Sequence, residues 1–200
     1  DSRWGDWQSK ESRFKTGELH FIKQVKSYIL KNKTYTKVRN AFKKEGSTNR
    51  VKYNFFSKDL PVGTVIENIW EVDLKNAYWK TAYNLNLFDA AIYEKGIAVV
   101  SKKTRLAAIG SLAKRKSRIQ FDGVKETQLE PETSTFTEFL WHTIAHRVGR
   151  VMAKAARKSK KDFLFLWVDA IFVKSEALAK EIVEDFKAAG YESTLVKCEW

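Results

Sequence analysis

The stretch "FLFLWVDAIFVK", residues 163–174, constrains the fold more than any other part of the chain. Its aromatic and β-branched residues are typical of a buried strand, yet Asp169 lies in the middle with apolar residues on both sides. A carboxylate in an apolar core is costly unless it is paired or binds a cation. We therefore predict a β-hairpin that has Asp169 near its turn and faces another strand that ends at Asp73.

The rest of the chain alternates segments of helical and strand periodicity. This order predicts an α+β fold in which helices pack on an antiparallel sheet. In the helix after the hairpin, Ser175 is the expected N-cap and Gly190 the expected C-terminal stop. The predicted helices cover residues 18–32, 36–45, 75–88, 102–119, 136–158 and 175–190, and the further strands cover residues 51–56, 63–74 and 191–200. Helical spacing predicts two buried apolar stripes. The first consists of Leu19, Ile22, Val25 and Ile29, and the second of Phe136, Leu140, Ile144, Val148, Val151 and Ala155.

The charge balance points to a polyanionic partner. Lys and Arg number 37 against 24 acidic residues, which gives a formal net charge of +13. Such an excess favours nucleic acid as the partner, with simple solubility or an anionic membrane surface as alternatives. Because the basic residues are interleaved with aromatic residues and spread along the chain, we expect a nucleic-acid groove and no membrane partner.

The single cysteine, Cys198, rules out an internal disulfide bond. This cysteine usage suits a reducing compartment, so we expect a cytoplasmic or viral location and no secretion. No apolar stretch reaches transmembrane length, and no signal peptide is evident.

Asp73 and Asp169 are the candidate catalytic and metal-binding residues, because each ends an apolar, strand-like segment. If the two strands are neighbours, the carboxylates converge at one end of the sheet. Mg²⁺, or Mn²⁺ in its place, takes oxygen ligands of this kind, and two such ions promote phosphoryl transfer. The alternative is that each aspartate is a turn residue or a strand-end cap, because structural ion pairs also place acids near cores.

Two short segments resemble motifs of family B DNA polymerases. "DLKNAY", which begins at Asp73, is similar to motif A, and "WVDAIFV", which begins at Trp167, is similar to motif C. Asp73 and Asp169 correspond to metal-binding aspartates of that family, and Tyr78 corresponds to a tyrosine that packs under the incoming sugar. Trp167 stands where the family has a further aspartate.

A third segment, "KKTRLAAIG" at residues 102–110, resembles motif B of the same family. Lys102 corresponds to the lysine that contacts the triphosphate. Lys102 and Arg105 are three residues apart, so both are expected on one helix face towards a triphosphate. The backbone carbonyl of Leu74 is a further candidate ligand of the metal ions that Asp73 and Asp169 would hold. A continuing basic run would bind the nucleic-acid backbone unless it is a solvated helix face. That run consists of Lys114, Arg115, Lys116 and Arg118.

The resemblance covers residues 65–200 and implies a polymerase palm-like domain with a minimal fingers helix at about residues 102–119. Residues 1–64 would form a basic helical N-terminal extension. The implied function is a DNA polymerase-like nucleotidyltransferase that uses two metal ions, nucleoside triphosphates and a nucleic-acid substrate, most naturally DNA. These residues are too few for both a full thumb and an exonuclease domain, so the chain would be a miniature, a fragment or a degenerate relative. A protein partner is a candidate source of the missing thumb or exonuclease elements.

An inactive relative is the alternative function. The motif B positions Leu106, Ala107 and Ile109 lack the polar and aromatic residues of the family, and Trp167 replaces an acid. These departures favour a viral or mobile-element protein that binds nucleic acid or has a structural role without catalysis. His142 and His146 have a spacing that suits zinc, but no third ligand is evident, so a polar helix face is the favoured interpretation.

Overall fold

The structure is a computed structural model that describes residues 15–32, 36–40, 54–56, 65–113, 116–121, 126–132 and 135–199. The predictions for Lys114 and Arg115 lie outside these residues, as does most of the predicted N-terminal extension. Side chains are described for all of these ranges except residues 54–56, 116–121, 126–132 and 135–136.

Helices and strands alternate along the described chain, in the α+β pattern that the sequence predicts. The helices are α1 (Thr16–Lys31), α2 (Ala77–Asn84), α3 (Ala90–Val99), α4 (Lys102–Gly110), α5 (Thr135–Ser159) and α6 (Glu176–Ala188), with 3-10 turns at Ser111–Ala113 and Lys160–Asp162. The strands are β1 (Asn54–Phe56), β2 (Ile69–Leu74), β3 (Lys116–Phe121), β4 (Glu126–Glu132), β5 (Phe163–Trp167), β6 (Ala170–Val173) and β7 (Ser193–Cys198). Residues 36–40 are also helical.

The larger sheet has five strands in the order β1-β5-β6-β2-β7, and every pairing is antiparallel. The predicted hairpin is confirmed, since β5 and β6 are joined by a two-residue turn at Val168 and Asp169. Val168 has a left-handed φ of 57°, as tight hairpin turns require. The turn thus places Asp169 at the end of the sheet and beside β2, its partner strand.

The two faces of this sheet bury different side chains, as the strand period of two dictates. Val72, Leu74, Ile171 and Val173 pack against α5 and α6. Asp73 points to the opposite face, because it pairs with Ala170, which belongs to a separate cluster there. Phe165 and Phe172 stack in that cluster with ring centroids 4.1 Å apart.

Helix α5 confirms the predicted apolar stripe. Leu140, Ile144, Val148 and Ala155 are all buried, and Val151 is half-buried. In the helix that follows the hairpin, α6, both predicted ends are also confirmed. Ser175 Oγ accepts a hydrogen bond of 3.3 Å from the Leu178 amide, and Gly190 has a left-handed φ of 83°.

Helix α1 confirms the predicted position but not the full predicted stripe. Val25 and Ile29 are buried, whereas Leu19 is 45% exposed and Phe21 occupies the core instead. The ring of Phe21 lies 5.9 Å from that of Trp79 in α2. A large aromatic partner from a distant segment therefore decides the rotation of α1 about its axis.

The helices α1 to α4 enclose a second apolar cluster together with Phe139, Leu140 and Ile144 of α5. At its centre, Trp79 stacks on Phe88 at 4.3 Å, and its Nε1 donates a hydrogen bond of 3.3 Å to the Tyr93 carbonyl. Helix α3 approaches the indole at Gly96, where a Cβ would lie only 2.5 Å from a ring carbon. A glycine is needed here for this close approach.

The predicted fingers helix over residues 102–119 is confirmed for residues 102–110 and is wrong for residues 116–119. Helix α4 ends at Gly110, a 3-10 turn follows, and residues 116–121 form β3, which pairs with β4 in a two-stranded sheet. Lys116 and Arg118 therefore belong to a strand rather than to a helix. Glycine weakens the helix, and antiparallel pairing across a short connection satisfies the backbone that a longer helix would otherwise satisfy.

The described helices include none that is both long enough and apolar enough to cross a membrane.

Candidate functional site

The hairpin turn and the end of β2 bring the two predicted aspartates together. Asp73 is in register with Ala170, the residue after Asp169. The Leu74 amide donates a hydrogen bond of 3.0 Å to the Asp169 carbonyl. The prediction that the two aspartates meet at one end of neighbouring strands is confirmed.

The two carboxylates interact electrostatically. Burial, and then the charge of Asp169, raise the pKa of Asp73 from 3.8 to about 6. Burial also raises the pKa of Asp169, while its own backbone amide and Lys102 lower it. Two half-buried acids that disfavour joint ionisation are a setting in which a bound cation is stabilising.

The positive charge of Lys102 stabilises the ionised form of both carboxylates, since its ammonium lowers the pKa of both aspartates. Lys102 is exposed and lies in the first turn of α4. Together with Tyr78, Arg105 and Asp169, it lines a small pocket of about 20 Å³. Four predicted site residues therefore meet at one place, although this pocket alone is too small for a nucleotide and would form only part of its site.

A carboxylate from α1 binds the first turn of α4, which carries Lys102. Ser101 caps the helix by accepting a hydrogen bond of 3.2 Å from the Thr104 amide. Glu18 of α1 accepts hydrogen bonds from Thr104 Oγ1 at 2.5 Å and from Ser101 Oγ at 3.0 Å. The Thr104 bond is the largest cause of a lowered Glu18 pKa. Sequence reasoning missed this contact, because the partners are far apart in the chain.

Arg105 has partners within the protein. Its Nη1 donates to the carbonyls of Gly96, at 2.8 Å, and of Val100, and its Nη2 donates to Asn76 Oδ1 at 2.8 Å. Asn76 has a left-handed φ of 53° and precedes α2, which carries Tyr78. Burial lowers the pKa of Arg105. These contacts make Arg105 a link between α3, α4 and the turn after β2.

The remaining predicted contacts stay predictions. The Leu74 side chain is buried, so only its backbone could serve as a ligand. Lys116 and Arg118 lie on β3, and the side chains of that strand are outside the described set.

Of the two histidines on α5, His142 lies next to an acidic residue one helical turn away. His142 lies 3.6 Å from Glu138, and its ring contacts the Trp141 ring edge-on at 5.0 Å. Within the described residues, no group of three or more His, Cys, Asp and Glu side chains is arranged to hold a metal ion. A metal at Asp73 and Asp169 would therefore need water, backbone or substrate oxygens to complete its ligands, as Mg²⁺ commonly does.

Trp167 is a feature of the site whose placement the sequence did not reveal. It lies at the end of β5, immediately before the turn, and is 52% exposed. Its apolar segment suggested burial, and only the sheet register shows that it shares a face with Asp73.

Comparison with known proteins yields no match: no protein-family model, curated protein or solved structure is significantly similar to this chain.

Proposed function

We propose that this chain is a metal-dependent nucleotidyltransferase with a polymerase palm-like domain, which extends DNA from nucleoside triphosphates. The observation that carries the proposal is the meeting of Asp73, Asp169, Lys102 and Tyr78 at the hairpin end. These residues come from three separate segments, each of which resembles a polymerase motif in the expected order.

The chemistry of phosphoryl transfer suits such a site. It requires little covalent participation by the protein, and mainly metal ions, positioning and cations that offset phosphate charge. Asp73 and Asp169 would hold Mg²⁺ or Mn²⁺, which would stabilise the attacking and leaving oxygens. Lys102 would neutralise the triphosphate, and Tyr78 would contact the sugar of the incoming nucleotide.

Arg105 has a different part in the proposal from the one that its sequence position suggests. Its guanidinium already donates to two backbone carbonyls and to Asn76. We therefore assign it a positioning role, in which it holds α4 and the turn after β2 so that Lys102 faces the carboxylates.

Primer extension with Mg²⁺ or Mn²⁺ tests the proposal. The wild-type protein should extend a primed DNA template, and Asp169→Asn should lower the rate by at least about 100- to 1000-fold, the usual loss when a group that stabilises transition-state charge is removed. Asp162→Asn is the matched control, because Asp162 precedes the same hairpin at its opposite end. Equal rates for wild type and Asp169→Asn would contradict the proposal.

An inactive nucleic-acid-binding protein is the second candidate, and Trp167 in place of an acid favours it. The net charge of +13 serves both functions. In this case the wild type would bind DNA with strong salt dependence but would not extend a primer under any metal condition.

A further inference from the structure

Trp167 differs from the other described tryptophans in being exposed. Trp79 is 2% exposed, Trp70 and Trp141 are half-buried, and Trp167 is 52% exposed. An exposed indole is a large apolar surface left in water, where its burial by a ligand would be favourable.

The sheet register places this indole beside the carboxylate site. Trp167 pairs with Ala170 on one side, and Ala170 pairs with Asp73 on the other. Side chains of directly paired residues project from the same face, so Trp167 and Asp73 share a face with only a methyl group between them. Two strand spacings separate their backbones, which is about 10 Å.

The surroundings of the carboxylates supply both charge and apolar surface. Lys102, which lines the small pocket with Asp169, is an exposed cation that can meet a phosphate. Leu106, which lines the same pocket, is 48% exposed. A ligand that carries an anionic group and a flat apolar group would match this combination, and a nucleotide has both.

We propose that Trp167 is a stacking platform for a nucleobase of single-stranded DNA whose backbone phosphate contacts Lys102. The identity of this ligand rests on the proposed function, but stacking itself requires no catalysis. Aromatic side chains bind bases in this way without sequence preference, because every base has a π-face. The indole thus adds affinity at a position where an acid would only bind metal.

The test compares two oligomers of equal length and charge, an oligodeoxythymidine and a deoxyribose phosphate oligomer without bases. Fluorescence anisotropy at fixed salt measures the binding of each to the whole chain. The wild type should bind the base-containing oligomer about 5- to 150-fold more tightly, the range expected for stacking of one base.

Three variants separate stacking from general loss of apolar surface. Trp167→Phe should keep most of the base preference, whereas Trp167→Leu and Trp167→Ala should lose it. Leu30→Ala is the control, because Leu30 is 39% exposed on α1 and should leave the preference unchanged. Circular dichroism checks that each variant folds.

The outcomes distinguish this inference from the proposed function. Equal binding of both oligomers by the wild type, or full base preference in Trp167→Leu, would overturn the stacking platform even if primer extension occurs. A base preference that depends on Trp167 without any primer extension would support the platform and contradict the proposed transferase.

Discussion

The two faces of the five-stranded sheet are built from the same strands but differ in polarity near the hairpin turn. On the helical face, Val72 and Ile171 lie at 0% exposure under α5 and α6. On the opposite face near the hairpin turn, Asp73 is half-buried and Trp167 is 52% exposed. Alternate residues of one strand therefore serve the core and the candidate site, because strand side chains alternate between faces.

The two faces therefore differ in which substitutions the fold should tolerate. The helical face is apolar and continuous, so its side chains contribute mainly to stability. The hairpin end of the other face keeps two carboxylates whose pKa values burial raises, which is a cost to stability. Because acids with strongly raised pKa values cluster at functional sites, the two aspartates are candidates for function.

The difference between the two faces can be tested by replacing one large aromatic residue on each face with alanine. Phe186 is 1% exposed under the helical face, and Phe186→Ala should lower the free energy of unfolding by about 3–5 kcal/mol. Trp167→Ala should lower it by less, about 1–1.5 kcal/mol, because about half of the indole is in water. Urea denaturation measures both. Similar losses would show that Trp167 is part of the core.

Substitution of Arg105 tests whether this residue beside the candidate site has a structural role. Arg105→Lys removes the fork that reaches Gly96, Val100 and Asn76, and should cost about 1.5–3 kcal/mol. Arg157→Lys is the matched control, since Arg157 makes one exposed bond to the Ala153 carbonyl, and should cost about 0.5 kcal/mol or less. Equal costs in thermal or urea unfolding would exclude the scaffold role.

The packing of α3 on α2 gives a further comparison. Gly96→Ala places a Cβ 2.5 Å from a Trp79 ring carbon and should cost about 1–3 kcal/mol. Gly110→Ala meets no atom within 4 Å and should raise stability by up to about 1 kcal/mol through helix propensity. Melting temperatures of the two variants should move in opposite directions, and a stable Gly96→Ala protein would mean that the indole can move aside.

The smallest predicted effect is the pH dependence that Asp73 contributes. The pKa of Asp73 is raised from 3.8 to about 6 in the folded chain, so the folded state holds the proton more tightly. Its contribution to the free energy of unfolding therefore falls as pH rises from about 4 to about 6 and stays low above that. Solvent screening of the half-exposed group limits this change to the order of 1 kcal/mol.

Asp73→Asn removes this contribution and provides the measurement. Urea denaturation across the same pH interval should show a flatter profile for the variant and higher stability at neutral pH. Asp185→Asn, which alters an exposed acid paired with Lys158, controls for removal of a surface charge. A profile for Asp73→Asn that is as steep as that of the wild type would contradict the raised pKa.

Much of the fold was predictable from local patterns in the sequence. The hairpin at residues 163–174, the stripe of α5 and the caps at Ser175 and Gly190 were all predictable from periodicity and from single-residue preferences. The meeting of Asp73 and Asp169 followed from placing the two strands side by side. The helical prediction for residues 116–119 failed because their strand pairing with residues 126–132 was not visible in the charge pattern.

The sequence by itself determined which residues alternate, where charges interrupt apolar segments and where helices end, since these properties depend on near neighbours in the chain. Only the tertiary structure decided that Phe21 rather than Leu19 is buried, that Glu18 holds the start of α4, that Arg105 binds Asn76, and that Trp167 stands exposed beside Asp73. Each of these depends on packing or pairing between segments that are distant in sequence, and such contacts leave no periodic signal in either segment alone.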